Sequence, residues 1–319
     1  MKTYALIIGL AASTALWNST ANADIPSGPA VGTSRPGPSA TMSVGTLTVE
    51  KYGSGDPAII LIPGLACGSW VWDGTIRTLE AKHTVYAVTL AGFGGTSPTT
   101  GQMLDKADAS IQQLIDGEHL VKPIVVGHSL GGFLALRFAE EHSAELSRVV
   151  AVDGLPVFPT MAQMTADQRA ANAKQIFEPL RTATHDQFVS GEQSYVSGLV
   201  TDPAMAARVG VLAGESDANA TAEYGEEMFA GDLRPALGSI HVPMLEIVPI
   251  PKDLPPGYPD YMRTMTPDQL KTAFISYYTA LFPGSTTVQL EAIENSRHFA
   301  MLDQPDAFNA ALSSFIDPK

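Results

Sequence analysis

The residues best suited to chemistry lie together in residues 124–132, IVVGHSLGG. Their centre, Gly127-His128-Ser129-Leu130-Gly131, matches G-x-S-x-G, and the setting gives the match its content. An unbroken apolar run predicts a buried strand before the serine, and a helical stretch follows at once. A strand that turns directly into a helix forces Ser129 into strained backbone angles and exposes its hydroxyl. Side chains at 127 and 131 would collide across so tight a bend, which explains the two glycines. The free amides at the helix start, that of Leu130 foremost, would point at an oxyanion formed beside Ser129. The predicted chemistry is attack of a serine hydroxyl on a carbonyl. Such a hydroxyl needs a base, and seven histidines are available: His83, His119, His128, His142, His185, His241 and His298. Cys67 is the sole cysteine and has no basic neighbour, so it reads as a packing residue. A lone cysteine excludes an intramolecular disulfide and a cysteine-rich metal site.

The flanking segments predict the scaffold. Residues 46–52 alternate like a half-buried strand, whereas 58–62, 85–90, 124–126 and 149–152 are continuous apolar runs, the mark of strands covered on both faces. Between them Leu104, Ala107, Ile111, Leu114 and Ile115 share one helical face, as do Leu134 and Phe138. Alternation of this kind predicts a parallel sheet with helices on both sides. The rhythm breaks after Asp153. Residues 155–235 carry helical stretches at 165–181, 186–199, 203–213 and 220–230, with Thr165 and Gln168 reading as a capping box and Asp202-Pro203 as a helix start. Strands and helices resume at 242–249, 267–281 and 286–293, and an amphipathic helix at 305–316 closes the chain. The expected organisation is an α/β core of residues 46–154 and 236–319 with an all-helical insert, 155–235, after the sixth strand.

Residues 1–23 read as an export signal: Lys2, a mostly apolar run over 4–17, and Ala21-Asn22-Ala23 as a small-x-small cleavage site. The run is too short for a spanning helix, which needs about 20 residues. A periplasmic or secreted product without a membrane span is expected. Residues 24–45 are rich in Pro, Gly, Ser and Thr and read as a flexible linker. The 319-residue chain carries 19 Lys and Arg against 33 Asp and Glu, a net charge of -14. No basic cluster is present, so nucleic acid is not an expected partner.

The GHSLGG elbow, together with Leu61-Ile62-Pro63-Gly64-Leu65 and Leu90-Ala91-Gly92-Phe93-Gly94-Gly95-Thr96-Ser97, resembles the α/β-hydrolase family over residues 46–319. Pro63 stands where that family commonly has His, and Thr89 where it has Asp. The resemblance implies a mostly parallel sheet with helices on both faces and a helical lid inserted after strand 6. It places a second oxyanion amide at Leu65, beside that of Leu130. It also places the base at His298, which follows the last predicted strand and precedes the final helix. The acid has three candidates. The family's usual place after strand 7 offers Asp253, although Lys252 is the residue in register, while a minority position about 24 residues beyond the nucleophile offers Asp153. Asp153 is preferred, Asp253 is the alternative, and Glu246 comes third.

The implied activity is hydrolysis of a carboxylic ester of a small to medium, largely apolar substrate through an acyl-enzyme, with no metal or organic cofactor. A lactonase, an amidase, a carbon–carbon bond hydrolase and a non-catalytic ligand-binding protein of this fold are the alternatives. A lid over Ser129 would line an apolar pocket with Met161, Phe177, Phe188 and Met228, and Trp70 could border it.

Overall fold

The computed structural model describes residues 37–254 and 258–318. The predicted export signal and most of the predicted linker lie outside these residues. The linker boundary at 45 needs correction, because Ala40–Val44 is a strand, β1, paired antiparallel with β2 (Leu47–Tyr52). Its signal was the alternation Thr41-Met42-Ser43-Val44, which turns Met42 and Val44 toward the core. Gly45, at φ 56°, then supplies the left-handed residue that a two-residue hairpin needs.

After β2 the chain alternates. β3 (Ile59–Ile62) leads to α1 (Asp73–Leu79), β4 (Val85–Thr89) to α2 (Met103–Gly117), β5 (Ile124–His128) to α3 (Leu130–His142), and β6 (Arg148–Val152) follows. Four helices come next: α4 (Ala166–Arg181), α5 (His185–Ser197), α6 (Pro203–Ala213) and α7 (Ala218–Ala230). The sheet then resumes with β7 (Met244–Ile250), α8 (Pro267–Ala280), β8 (Val288–Glu294), α9 (Ala300–Asp303) and α10 (Pro305–Ile316). One eight-stranded sheet has the order β1-β2-β4-β3-β5-β6-β7-β8. β1, β2 and β4 pair antiparallel, and every other neighbouring pair is parallel.

The apolar runs are explained by burial on both faces. Ile60, Ile62, Val88, Val125 and Val149 pack on one side with residues of α2 and α3. Ile59, Leu61, Val85, Ile124, Val126 and Val150 pack on the other with residues of α1 and α10. Burying each such side chain contributes about 1.5–3 kcal/mol. The chain runs from β3 to β4 on one side, then crosses to place β5 on the other side of β3. Strand order reverses there, and the loops leaving β3 and β5 lie side by side at the carboxyl ends of their strands.

The four helices between β6 and β7 form an insert closed at its neck, where Leu233 N–H donates to the Pro156 carbonyl at 2.8 Å and Val157 bridges Asp232. Local chemistry sets their starts. Thr165 and Gln168 form the expected capping box, and Asp202 accepts from the Met205 amide at 2.7 Å. Capping boxes also start α5 (Thr184 with Gln187) and α8 (Thr266 with Gln269).

Candidate active site

Ser129 stands between β5 and α3 at φ 53° and ψ -116°. A side-chain-bearing residue held there costs about 1–3 kcal/mol, so its surroundings must enforce it. The Ser129 amide donates to the Val152 carbonyl at 2.9 Å, and its own carbonyl accepts from Phe133 N–H at 2.9 Å. A Cβ on Gly127 would lie 1.9 Å from the Gly131 oxygen, and one on Gly131 would lie 2.3 Å from the Ile62 oxygen. Neither position admits a side chain.

Leu130 is the first residue of α3, so its N–H has no acceptor within the helix. Leu65 lies in the loop leaving β3, where the Cys67 amide closes a turn onto the Gly64 carbonyl at 3.1 Å and Ala66 takes φ 55°. That loop runs against the elbow. A Cβ on Gly64 would stand 2.8 Å from His128 Nδ1 and 3.2 Å from Ser129 Cβ.

His298 occupies the loop between β8 and α9. Its Nδ1 is 2.6 Å from Oδ2 of Asp153, and the two side chains are 9 % and 8 % exposed. A proton donated from Nδ1 to the carboxylate leaves Nε2 as the free acceptor of the ring. Asp153 follows β6 at φ 48°, its amide held by the Ile247 carbonyl at 3.0 Å. The Tyr278 hydroxyl, from α8, donates to Oδ1 of Asp153. Each carboxylate oxygen therefore has its own donor.

The other two acid candidates are placed differently. Asp253 is exposed in the loop after β7. Glu246 is 1 % exposed on β7, and its Oε1 accepts from the Gly154 amide at 3.3 Å. Burial, and then the nearby charge of Asp153, push its carboxyl well above the usual range. Among the described residues neither forms a hydrogen bond with His298.

Of the remaining histidines, His119, His185 and His241 are exposed. His83 bonds the Pro57 carbonyl and Asp317, and His142 bonds Glu145. His128 is fully buried, with its ring centroid 4.6 Å from that of His298 and its Nε2 donating to the His298 carbonyl at 3.1 Å. Desolvation, and then the neighbouring His298, hold its pKa well below the ordinary value, so it stays neutral. It supports the loop that carries His298.

The insert reaches the same end of the sheet. Phe299 N–H donates to the Leu199 carbonyl at 3.4 Å, Thr201 N–H to Asp303 at 2.8 Å, and Ser216 Oγ to the Ala66 carbonyl at 3.0 Å. Phe177, Phe188 and Met228 gather in one apolar cluster with Leu65 and Ala66. Phe177 also packs on Gly225 of α7, where a Cβ would come within 2.3 Å of its ring. Met161 is buried outside that cluster. Trp70, Tyr195 and Leu199 pack against one apolar cluster, while the fully buried Trp72 lies between His128 and Phe308. Sequence reasoning missed Tyr278 and the buried Glu192 of α5. Tyr278 is 125 residues from Asp153, and no local spacing marks it.

An open, mostly parallel sheet with a serine on a strained strand-to-helix bend and a His–Asp pair on adjoining loops defines a protein of the α/β hydrolase class. The alpha/beta hydrolase family model matches residues 59–311, and the chain belongs to that family. It is 27 % identical over 208 residues to a pimeloyl-[acyl-carrier protein] methyl ester esterase of Nitrosomonas europaea, covering 63 % of this chain and 79 % of that protein. It is 25 % identical over 280 residues to a 2-(acetamidomethylene)succinate hydrolase of Mesorhizobium japonicum, covering 85 % and 92 %. A thermophilic esterase from Thermogutta terrifontis shares the fold with a TM-score of 0.69 at 16 % identity, over 86 % of this chain and 97 % of that one.

Proposed function

We propose that this hydrolase cleaves carboxylic esters with Ser129 as nucleophile, His298 as base and Asp153 as the acid that orients it. The observation that carries this reading is the 2.6 Å contact between His298 Nδ1 and Asp153, with the His298 ring 4.6 Å from that of His128, the residue before the strained Ser129. The Ser129 Oγ attacks the ester carbonyl carbon while His298 Nε2 takes the hydroxyl proton. The carbonyl oxygen becomes an oxyanion, stabilised by the Leu65 and Leu130 amides, each worth roughly a hundredfold or more in rate. Collapse expels the alcohol, which takes the proton from His298 and leaves Ser129 acylated. Water then attacks the acyl carbon as His298 takes its proton. The second oxyanion collapses, the acid departs, and the proton returns to Ser129.

The reading treats the four-helix insert as a lid whose apolar residues select what enters. The relatives named for ester hydrolysis support it, as does the apolar cluster of Phe177, Phe188 and Met228 beside Leu65. Export is part of the same proposal, with the mature chain starting at Asp24 and working outside the cytoplasm. The test is release of p-nitrophenol from p-nitrophenyl butyrate by the wild type and by Ser129→Ala. Activity that disappears in the variant supports the assignment, and equal rates overturn it.

A further inference from the structure

One ionisable group beneath the insert has no part in the mechanism above. Glu192, on α5, is 6 % exposed, and its carboxyl has no hydrogen-bond partner among the described residues.

Its surroundings say where it faces. One turn before it, Phe188 joins the cluster containing Leu65 and Ala66. One turn after it, Tyr195 and Val196 join the cluster containing Cys67 and Trp70. Glu192 thus lies on the inward stripe of α5, over the loop that carries the Leu65 amide. The next residue, Gln193, faces α6, where a Cβ on Gly210 would come within 2.7 Å of its Cα. Burial, and then the nearby carboxyl of Glu192, raise the pKa of the Cys67 thiol and of the Tyr195 hydroxyl. The carboxyl therefore faces the loop of Leu65, Ala66 and Cys67, on the stripe of α5 that carries Phe188, Tyr195 and Val196.

We propose that Glu192 is a substrate-recognition residue that selects esters carrying a second, uncharged oxygen, a hydroxyl or carbonyl, on the acyl chain near the scissile bond. The proposal deepens the ester-hydrolase reading and rests on it. An uncharged oxygen is favoured over an ammonium group because burial raises this carboxyl's pKa to about 8, so at neutral pH it is a neutral acid. A neutral carboxyl donates through its hydroxyl and accepts through its carbonyl, which matches a hydroxyl or keto group. A site built to pair with a substrate oxygen rejects the analogue that lacks it, because its own polar group is then left unpaired.

The experiment compares kcat/KM at pH 7 for p-nitrophenyl esters of butyric, 3-hydroxybutyric and 4-aminobutyric acids. It uses the wild type, Glu192→Gln and Glu192→Leu. The wild type is expected to prefer the hydroxy ester over the plain one by about tenfold or more, one hydrogen bond's worth of discrimination. Glu192→Gln, which keeps a neutral donor and acceptor, retains that preference, and Glu192→Leu brings the ratio to near one. A wild-type ratio near one, or the same ratio in Glu192→Leu, overturns the proposal while leaving the ester reading intact. A Glu192-dependent preference for the amino ester also overturns it, by showing that the carboxyl works as an anion. Failure to cleave any of the three esters removes both readings.

Discussion

The Tyr278 hydroxyl donates to the one oxygen of Asp153 that His298 leaves free. Tyr278 is fully buried on α8, and desolvation, followed by the charge of Asp153, raises its pKa well above the ordinary value. It remains a donor across the working pH range. The carboxylate is thus fixed in rotation from both sides, and its orientation sets that of the imidazole.

Tyr278→Phe removes only this donor and keeps the ring packed against Phe274 and its neighbours in the cluster beneath β7. We expect kcat to fall roughly tenfold, about 1.4 kcal/mol, with KM little changed. Steady-state kinetics on p-nitrophenyl butyrate check it. A change confined to KM or to thermal stability would show that Tyr278 packs the site without positioning Asp153.

The two aspartates considered for the acid make opposite predictions. Asp153→Asn keeps the shape but favours the wrong imidazole tautomer, and is expected to lower kcat by about ten-thousandfold. Asp253 is exposed after β7, and Asp253→Asn should stay within about twofold of wild type, as surface substitutions usually do. A larger loss from Asp253→Asn than from Asp153→Asn reverses the assignment.

Much of this geometry is legible in the residues themselves. The elbow could be read because its requirements are local: an apolar strand, two glycines that must lack side chains, and a helix directly after. The capping box at Thr165 and the Asp202-Pro203 start of α6 are local in the same way. Three features were not legible, for different reasons. β1 lies in a stretch whose Pro, Gly and Ser content resembles a linker and masks the short alternation Thr41-Met42-Ser43-Val44, which its pairing with β2 brings out. Tyr278 meets Asp153 only because α8 packs beside β7, a consequence of sheet order that no spacing encodes. Glu192 looks like an ordinary surface glutamate in a helix, and its burial is visible only once α5 is laid over the loop after β3.

Gly64 is the residue whose missing side chain lets the loop leaving β3 approach the elbow. An added methyl would stand 2.8 Å from His128 Nδ1 and 3.2 Å from Ser129 Cβ, so the loop must retreat by some tenths of an ångström. That retreat carries the Leu65 amide away from the oxyanion. Gly64→Ala is expected to lower kcat by about a hundredfold, the usual consequence of losing one oxyanion donor. The measurement pairs single-turnover acylation rates with circular dichroism. Unchanged acylation in a folded variant would remove Leu65 from the oxyanion hole.

The burial of Glu192 also has a signature that requires no ester at all. Its carboxyl titrates at about 8 in the folded protein against an ordinary value of 4.5, with desolvation as the cause. Below about pH 4.5 both folded and unfolded chains hold the proton, and the group contributes nothing to the pH dependence. Between there and pH 8 the unfolded chain releases its proton while the folded chain keeps it, so stability falls as pH rises. Above pH 8 both states are ionised and the loss levels off. The full slope is about 1.4 kcal/mol per pH unit, and hydration of the site on loosening of α5 would reduce it. Glutamine cannot titrate, and contributions from other buried acids such as Glu246 are common to both proteins and cancel in their difference. Urea unfolding of the wild type and Glu192→Gln at pH 5, 6, 7 and 8 should therefore show the variant gaining on the wild type by about 1 kcal/mol per unit. Parallel stability curves would mean that water reaches the carboxyl freely, and that α5 does not press it against the loop carrying Leu65.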